Sequence, residues 1–186
     1  MTSSAIPKSV KKQKGMTFIE VLVALVILVT GILGAVAMQA SAKKGSFDAL
    51  QRSVASSLVQ DIIERMRSNQ KTIAVLDTYV GTYGNNAIVA PTRCNVVGAA
   101  CTPAQITAND LFEWNQSLRG ADVTNDGVSN GGLVGSVGCI THAANVITVT
   151  ISWQGKTATS DGGVGNAGCG TAGTSRRQIF TQAFIF

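Results

Sequence analysis

From Val21 to Ala42 the chain carries no charged side chain, a run of 22 positions bounded by Glu20 on one side and Lys43 on the other. At about 1.5 Å per helical residue such a run spans the roughly 30 Å hydrocarbon core of a bilayer. The segment is therefore long enough to cross a membrane, and whatever fold follows must be compatible with that. Glu20 sits at its mouth. An ionisable group in that position costs on the order of 2.5 to 3.5 kcal/mol on insertion scales, so the carboxylate calls for a specific partner. Cleavage after Gly15 would create one: Met16 would then carry a new α-amino group, and the cation of one subunit could meet Glu20 of its neighbour. An ordinary anchor with a glutamate at the interface is the alternative reading.

The residues GMTFIEVLVALVILVTGILG, 15–34, resemble the class III signal and N-terminal helix of type IV pilins and related pseudopilins. The resemblance implies that a prepilin peptidase cuts between Gly15 and Met16, that Met16 is N-methylated, and that Glu20 pairs with a neighbouring subunit's terminal amine. Further along, DIIERMRSN at 61–69, CTPAQ at 101–105 and DLFEW at 110–114 resemble minor pilins of the PilV group. Together these stretches reach through most of the first 120 residues, whereas the last third is similar only in its strand-rich pattern. Major pilins commonly carry a helix-breaking proline in this region, but none occurs here between Pro7 and Pro91.

Composition excludes one function class. The formal charge is +5, yet four of the fifteen basic residues (Lys8, Lys11, Lys12 and Lys14) lie before Gly15, which leaves the remainder nearly balanced against ten acidic groups. Basicity is thus no sign of nucleic-acid binding. The four lysines read as the cytoplasmic flank of a single-pass segment, a signal diluted by Lys43 and Lys44 on the far side. A secretory signal would be cut after its apolar core, whereas here the cut would precede it and the anchor would stay. Cys94, Cys101, Cys139 and Cys169 all fall beyond the apolar run, on its translocated side, and an even count in an oxidising compartment favours two disulfides. Three pairings are possible. Cys94 with Cys101, closing a short loop, and Cys139 with Cys169, joining strand regions, are favoured; a zinc site competes weakly, because there is no C-x-x-C pair and His142 is the sole histidine.

Helical periodicity continues past the apolar run. Phe47, Leu50, Val54, Leu58, Ile62 and Met66 recur at spacings of three or four and form a stripe able to lie on a sheet, with Asp48, Arg52, Gln60, Asp61, Glu64, Arg65 and Arg67 on the wet side. The helix is expected to end between Ser68 and Leu76. From Thr78 to Ala100 small residues suggest a loop with one short strand. Thr102-Pro103-Ala104-Gln105 reads as an N-cap, a proline at the first helical position and a capping-box glutamine, opening a helix whose Ile106, Leu111, Trp114 and Leu118 turn inward and which Gly120 ends. Strands are expected at Val134–Thr141, Val146–Trp153 and Gln178–Phe186. The stretch 122–132 is turn chemistry. It also resembles half a calcium loop through Asp122, Thr124 and Asp126, but Leu133 stands where a bidentate glutamate would close it.

These readings combine into an α+β, pilin-like fold: a leader at 1–15, a membrane and filament-core helix at 16–42, its amphipathic half at 43–76, and a disulfide-containing head at 77–186 in which a small antiparallel sheet packs on the helix. No catalytic constellation is present, no cofactor is expected, and the chain reads as non-enzymatic. The resemblance implies a minor pilin that helps prime type IV pilus assembly, supporting surface piliation, twitching motility and adhesion; a type II secretion minor pseudopilin is the alternative. Its implied partners are other minor pilins and the major pilin, prepilin peptidase, an inner-membrane assembly platform and a tip adhesin, without nucleic acid. Its implied place is the bacterial inner membrane, head in the periplasm, and then the pilus near its tip. A ligand-binding adhesin would need a site, for which the Thr/Ser/Gly-rich loop 155–175 is the candidate.

Overall fold

The computed structural model of the chain describes residues 15–69, 72–94, 100–121, 123–129, 131–163 and 165–185. It divides into two units, 1–43 and 44–186. The first holds the apolar part of α1 (Phe18–Asn69), a helix of 52 residues. No residue of its most apolar 18-residue window, mean hydropathy 2.8, is buried within the protein.

In the second unit a four-stranded antiparallel sheet runs in the order β1-β4-β5-β6, with β1 at Gly81–Tyr83, β4 at Val137–Ala143, β5 at Val146–Gln154 and β6 at Arg176–Phe184. β4 and β5 form a hairpin closed at Ala143 and Val146, where Ala144 adopts φ 53 in the two-residue turn. A long N-terminal helix with a small antiparallel sheet is the α+β pilin arrangement. The alternation read along the middle strand holds: Ile147, Val149, Ile151 and Trp153 are buried on one face, in a core shared with Leu58, Ile62 and Met66 of α1.

The helix stripe differs from the apolar pattern at its start. Leu50 is 60% exposed, and Gln51 is buried in its place. The reason is polar: the Gln51 amide accepts from Val134 N at 3.1 Å and donates to Gly132 O at 3.4 Å, fastening α1 to the segment before β4. Those bonds, with Gln154 N on Val134 O at 2.8 Å, also keep Val134–Ser136 out of the strand expected to begin there. At its other end α1 stops at Asn69 and a separate short helix, α2 (Ile73–Asp77), follows, so the amphipathic segment through residue 76 is two helices. Asn69 turns its amide inward to Tyr79 Oη, Pro103 O and Thr107 Oγ1, each at 3.0 Å.

The helix α3 (Pro103–Arg119) has the capping box, first-position proline and left-handed Gly120 read from sequence, with φ 63 at the glycine. Trp114 and Leu118 are fully buried, Leu111 packs against them, and Ile106 is only half-buried. Trp114 Nε1 donates to Leu58 O at 2.9 Å, and the ring meets Tyr83 edge-on at 5.7 Å. The indole lies directly on Gly138 of β4: an added Cβ there would come within 2.4 Å of Trp114 Cη2. Arg65 links α1 to α3, donating to Asp61 at 2.9 Å and Glu113 at 2.8 Å, with Asp110 at 3.4 Å. Tyr79 completes that cluster by donating to Asp110 Oδ2 at 2.6 Å, and burial pushes the Asp110 carboxyl upward against the opposing pull of Tyr79 and Arg65.

The back of the sheet is covered by the loop 155–175. Cys139 and Cys169 are bonded, and both are buried beside Val137. Arg176, 3% exposed, forks onto Asp161 at 2.6 and 2.8 Å and donates to Ala167 O. Gln178 binds both Gly165 N and Asn166 O. At its start the loop is held to α1, where Asp48 accepts from Lys156 N and Thr157 Oγ1, both at 2.9 Å. A stretch rich in glycine, serine and threonine is thus tied down rather than free. The smaller hairpin, β2 (Thr124–Asn125) with β3 (Val128–Ser129), turns on Asp126 and Gly127, at φ 49 and 76.

Two outcomes are expected. Gly138→Ala should destabilise the head by about 1 to 3 kcal/mol in urea unfolding, because an aromatic ring held by its own hydrogen bond has little room to withdraw. The second concerns acid. The Asp161 carboxyl is held below its usual range chiefly by its hydrogen bonds from Arg176, and that of Asp48 by Lys156 N–H. Groups depressed by folding contribute stability that is present above the unfolded value near 4 and lost as pH falls through the folded one. Asp161→Asn should therefore flatten the loss of stability below about pH 4, read as unfolding midpoints against pH.

Candidate functional site: the N-terminal segment

The start of α1 is built by a local pattern. Thr17 precedes the first helical residue, and its backbone N and Oγ1 both donate to Glu20 Oε2 at 2.8 Å, while Glu20 N points back to Thr17 Oγ1 at 3.4 Å. This is a capping box, in which a threonine and a glutamate three residues on satisfy each other's backbone donors. Caps of this kind are worth about 1 kcal/mol, and a carboxylate in the first turn also suits the positive end of the helix dipole. The spacing Thr-x-x-Glu is visible in the sequence, yet attention to the glutamate as an intersubunit ligand leaves its role inside its own helix unread.

The box uses one carboxylate oxygen. Among the described residues Oε1 of Glu20 has no hydrogen-bond partner, so it is open to a donor from outside the chain. Gly15 and Met16 lie just ahead of the cap in non-helical, exposed backbone, Met16 at 77% exposure. A peptide bond there is reachable, as one inside the helix would not be. Behind the cap, Phe18, Ile19, Leu22, Leu25, Ile27, Leu28, Ile32 and Leu33 are all exposed. The segment thus places an exposed peptide bond, a carboxylate with a free oxygen and an uncovered apolar helix in that order within twenty residues.

The other candidates fall elsewhere. Cys94 is bonded to Cys101, and the Asn109 amide of α3 contacts Thr92 O and Cys94 Sγ, seating that short loop on the helix. Of the three calcium-loop positions, Asp122 lies outside the described residues, and Thr124 and Asp126 are exposed, in β2 and in the turn after it. Among the described residues no cluster of three or more His, Cys, Asp or Glu side chains could hold a metal. His142 Nδ1 meets Asp77 Oδ1 at 2.6 Å and so joins β4 to α2. Glu64 pairs with Arg67 one turn along α1 at 2.5 Å.

Removing the Thr17 hydroxyl with Thr17→Val should loosen the first turn, making the Glu20 amide exchange about fivefold faster in detergent micelles while amides beyond residue 25 keep their rates.

Comparison with known families places two adjoining matches on this architecture. Residues 10–36 match the prokaryotic N-terminal methylation motif, and residues 37–112 match the family of type IV pilin Tt1218. The second match covers the rest of α1, α2, β1 and the first half of α3. Searches among curated proteins and among solved structures each found no match.

Proposed function

We propose that this chain, a type IV pilin with a prepilin N-terminal methylation motif over the matched stretches, is a minor pilin of the PilV kind that takes part in priming pilus assembly. The family is structural rather than enzymatic, and its members assemble with other pilins after processing by prepilin peptidase. The observation that carries the reading is the apolar half of α1, which is uncovered on every side and preceded by a capped glutamate with one free oxygen. Before assembly the segment anchors the chain in the inner membrane, with the disulfide-bonded head on the oxidising side. Cleavage between Gly15 and Met16, followed by methylation of Met16, sets a cation next to the cap. In the fibre that cation on one subunit meets Glu20 on the next, while the apolar helices cover one another.

The cost of an unpartnered charge supplies the selectivity. A glutamate buried among apolar helices without its amine is penalised by several kcal/mol, so subunits out of register are rejected. The long disulfide-bonded head and the segment Glu64-Arg-Met-Arg support a pilus minor pilin over a secretion pseudopilin, and proximity to the tip fits a priming role. Twitching and adhesion would follow from the fibre as a whole.

The test is genetic and chemical. Deletion of the gene should abolish surface pili, and blocking retraction should restore them. In the complemented strain, mass spectrometry should find fibres beginning at methylated Met16, and Glu20→Ala should cut incorporation at least about tenfold, while Glu20→Asp keeps part of it. A mature protein that retains residues 1–15, or a Glu20→Ala subunit that enters fibres as well as the wild type, overturns the reading. A secretion defect with normal pili would point to the pseudopilin instead.

A further inference from the structure

The sheet has one long free edge. At the paired residues Gln154 and Arg176, neither backbone points at the other: Arg176 N donates to Gly173 O at 3.0 Å, Arg176 O accepts from Gly162 N at 3.2 Å, and Gln154 N donates to Val134 O. The β5–β6 register then runs unbroken to Val146 opposite Phe184. In an antiparallel pair such orientations alternate with period two. Gln178, Phe180, Gln182 and Phe184 therefore turn their N–H and C=O groups away from β5. Gly162 borders the edge at Arg176 and Gln178. Beyond it, among the described residues, nothing bonds the outward groups of Phe180, Gln182 and Phe184.

Exposed edges are normally blunted by charge, proline or a bulge. The stretch Phe180-Thr181-Gln182-Ala183-Phe184 has none of these. Ile179 and Ala183 face the core, so Phe180 and Phe184 share the opposite face with Gln182, and they are 48% and 72% exposed. A row of alternating donors and acceptors at strand spacing is matched only by another extended main chain. The two phenylalanines add side-chain preference, favouring apolar residues at alternate positions of that chain.

A second copy that offers its own β6 edge is excluded by symmetry. Two β6 edges paired antiparallel are related by a two-fold normal to the sheet. The half of α1 that packs flat on the sheet would then run in opposite directions in the two copies, whereas subunits inserted by the same N-terminal segment run it the same way. We propose that the outer edge of β6, from Phe180 to Phe184, takes up an extended, apolar-alternating segment of a different pilin subunit as a fifth strand. The inference rests on the chain's being a pilin. The segment is about five residues long and forms roughly six backbone hydrogen bonds, two at each outward-facing position.

The test uses the full chain in piliated cells. A photo-crosslinking residue is placed in turn at Phe180, Gln182 and Phe184, with Thr82 on the other edge strand as a control. Crosslinks should map to one segment of another pilin, and moving the reporter from Phe180 to Phe184 should move the attachment point by about four residues. Gln182→Pro, which deletes an outward N–H, should lower incorporation about tenfold, while Gln182→Ala, which keeps it, should not. Failure of the proline variant to form the Cys139–Cys169 bond would mark misfolding, and the crosslinks then decide. Absence of crosslinks, attachment that ignores reporter position, attachment to a second copy of this chain or to a non-pilin protein, or normal incorporation of a folded Gln182→Pro variant overturns the fifth strand. If the wild-type chain itself never enters a fibre, the pilin reading fails first.

Discussion

The first part of α1 is an apolar helix that no other described residue covers. Burial of apolar surface contributes roughly 25 cal/mol per Å², and the first part of α1 forgoes all of it within the monomer. Two surroundings can supply that burial: lipid hydrocarbon and other helices of the same kind. Between them the hydrophobic term is nearly neutral, because lipid tails are as apolar as leucine, so packing and charge decide. Packing is eased at Gly31 and Gly34, where an added Cβ would meet nothing in the isolated chain and a neighbouring backbone could come close. Charge is concentrated in one residue, Glu20, whose internal bonds stabilise the helix start without using up the carboxylate.

The head solves the opposite problem, since a four-stranded sheet needs cover on both faces. One face has α1 and α3; their contact is fixed by directional bonds as well as by volume, through Trp114 on a helix carbonyl and Arg65 among three carboxylates. Among the described residues the other face has no second sheet or helix and is roofed by a loop. Loops lack the apolar mass to bury a surface by themselves, and here the deficit is met by a disulfide, a buried arginine and a glutamine that binds its roof from both ends. The roof stops short of Phe184, leaving the far end of the β6 edge bare.

Legibility in the sequence followed the type of signal. Periodic apolar residues and caps were readable: the strands near 137–143, 146–154 and 176–184 and the whole of α3, with its Thr102 cap and Gly120 stop, came from short-range rules. What escaped were polar side chains whose partners lie far along the chain. Gln51 displaced Leu50 from the stripe because its amide meets residues more than eighty positions away. Asn69 sits inside a polar cluster drawn from α3 and the turn before β1, and no local pattern announces it. The loop 155–175 has a composition that suits mobility, and the bonds that hold it, from Arg176, Gln178, Asp48 and Cys139, come from residues placed beside it in space.

The two assembly features differ in what they can discriminate. A methylation motif followed by an apolar helix is a general signal, and interactions common to all partners cannot distinguish among them. In the proposed assembly such a segment sets register and direction. Choice of neighbour in that assembly then falls to the head, through its edge length, exposed side chains and loop cover. In this chain the head surface that combines unmet backbone bonds with exposed aromatic rings is the β6 edge, and its hydrogen-bonding geometry gives it a direction as well as an affinity. A subunit held by a common helix and chosen by a particular strand would occupy one place in an assembly rather than repeat along it.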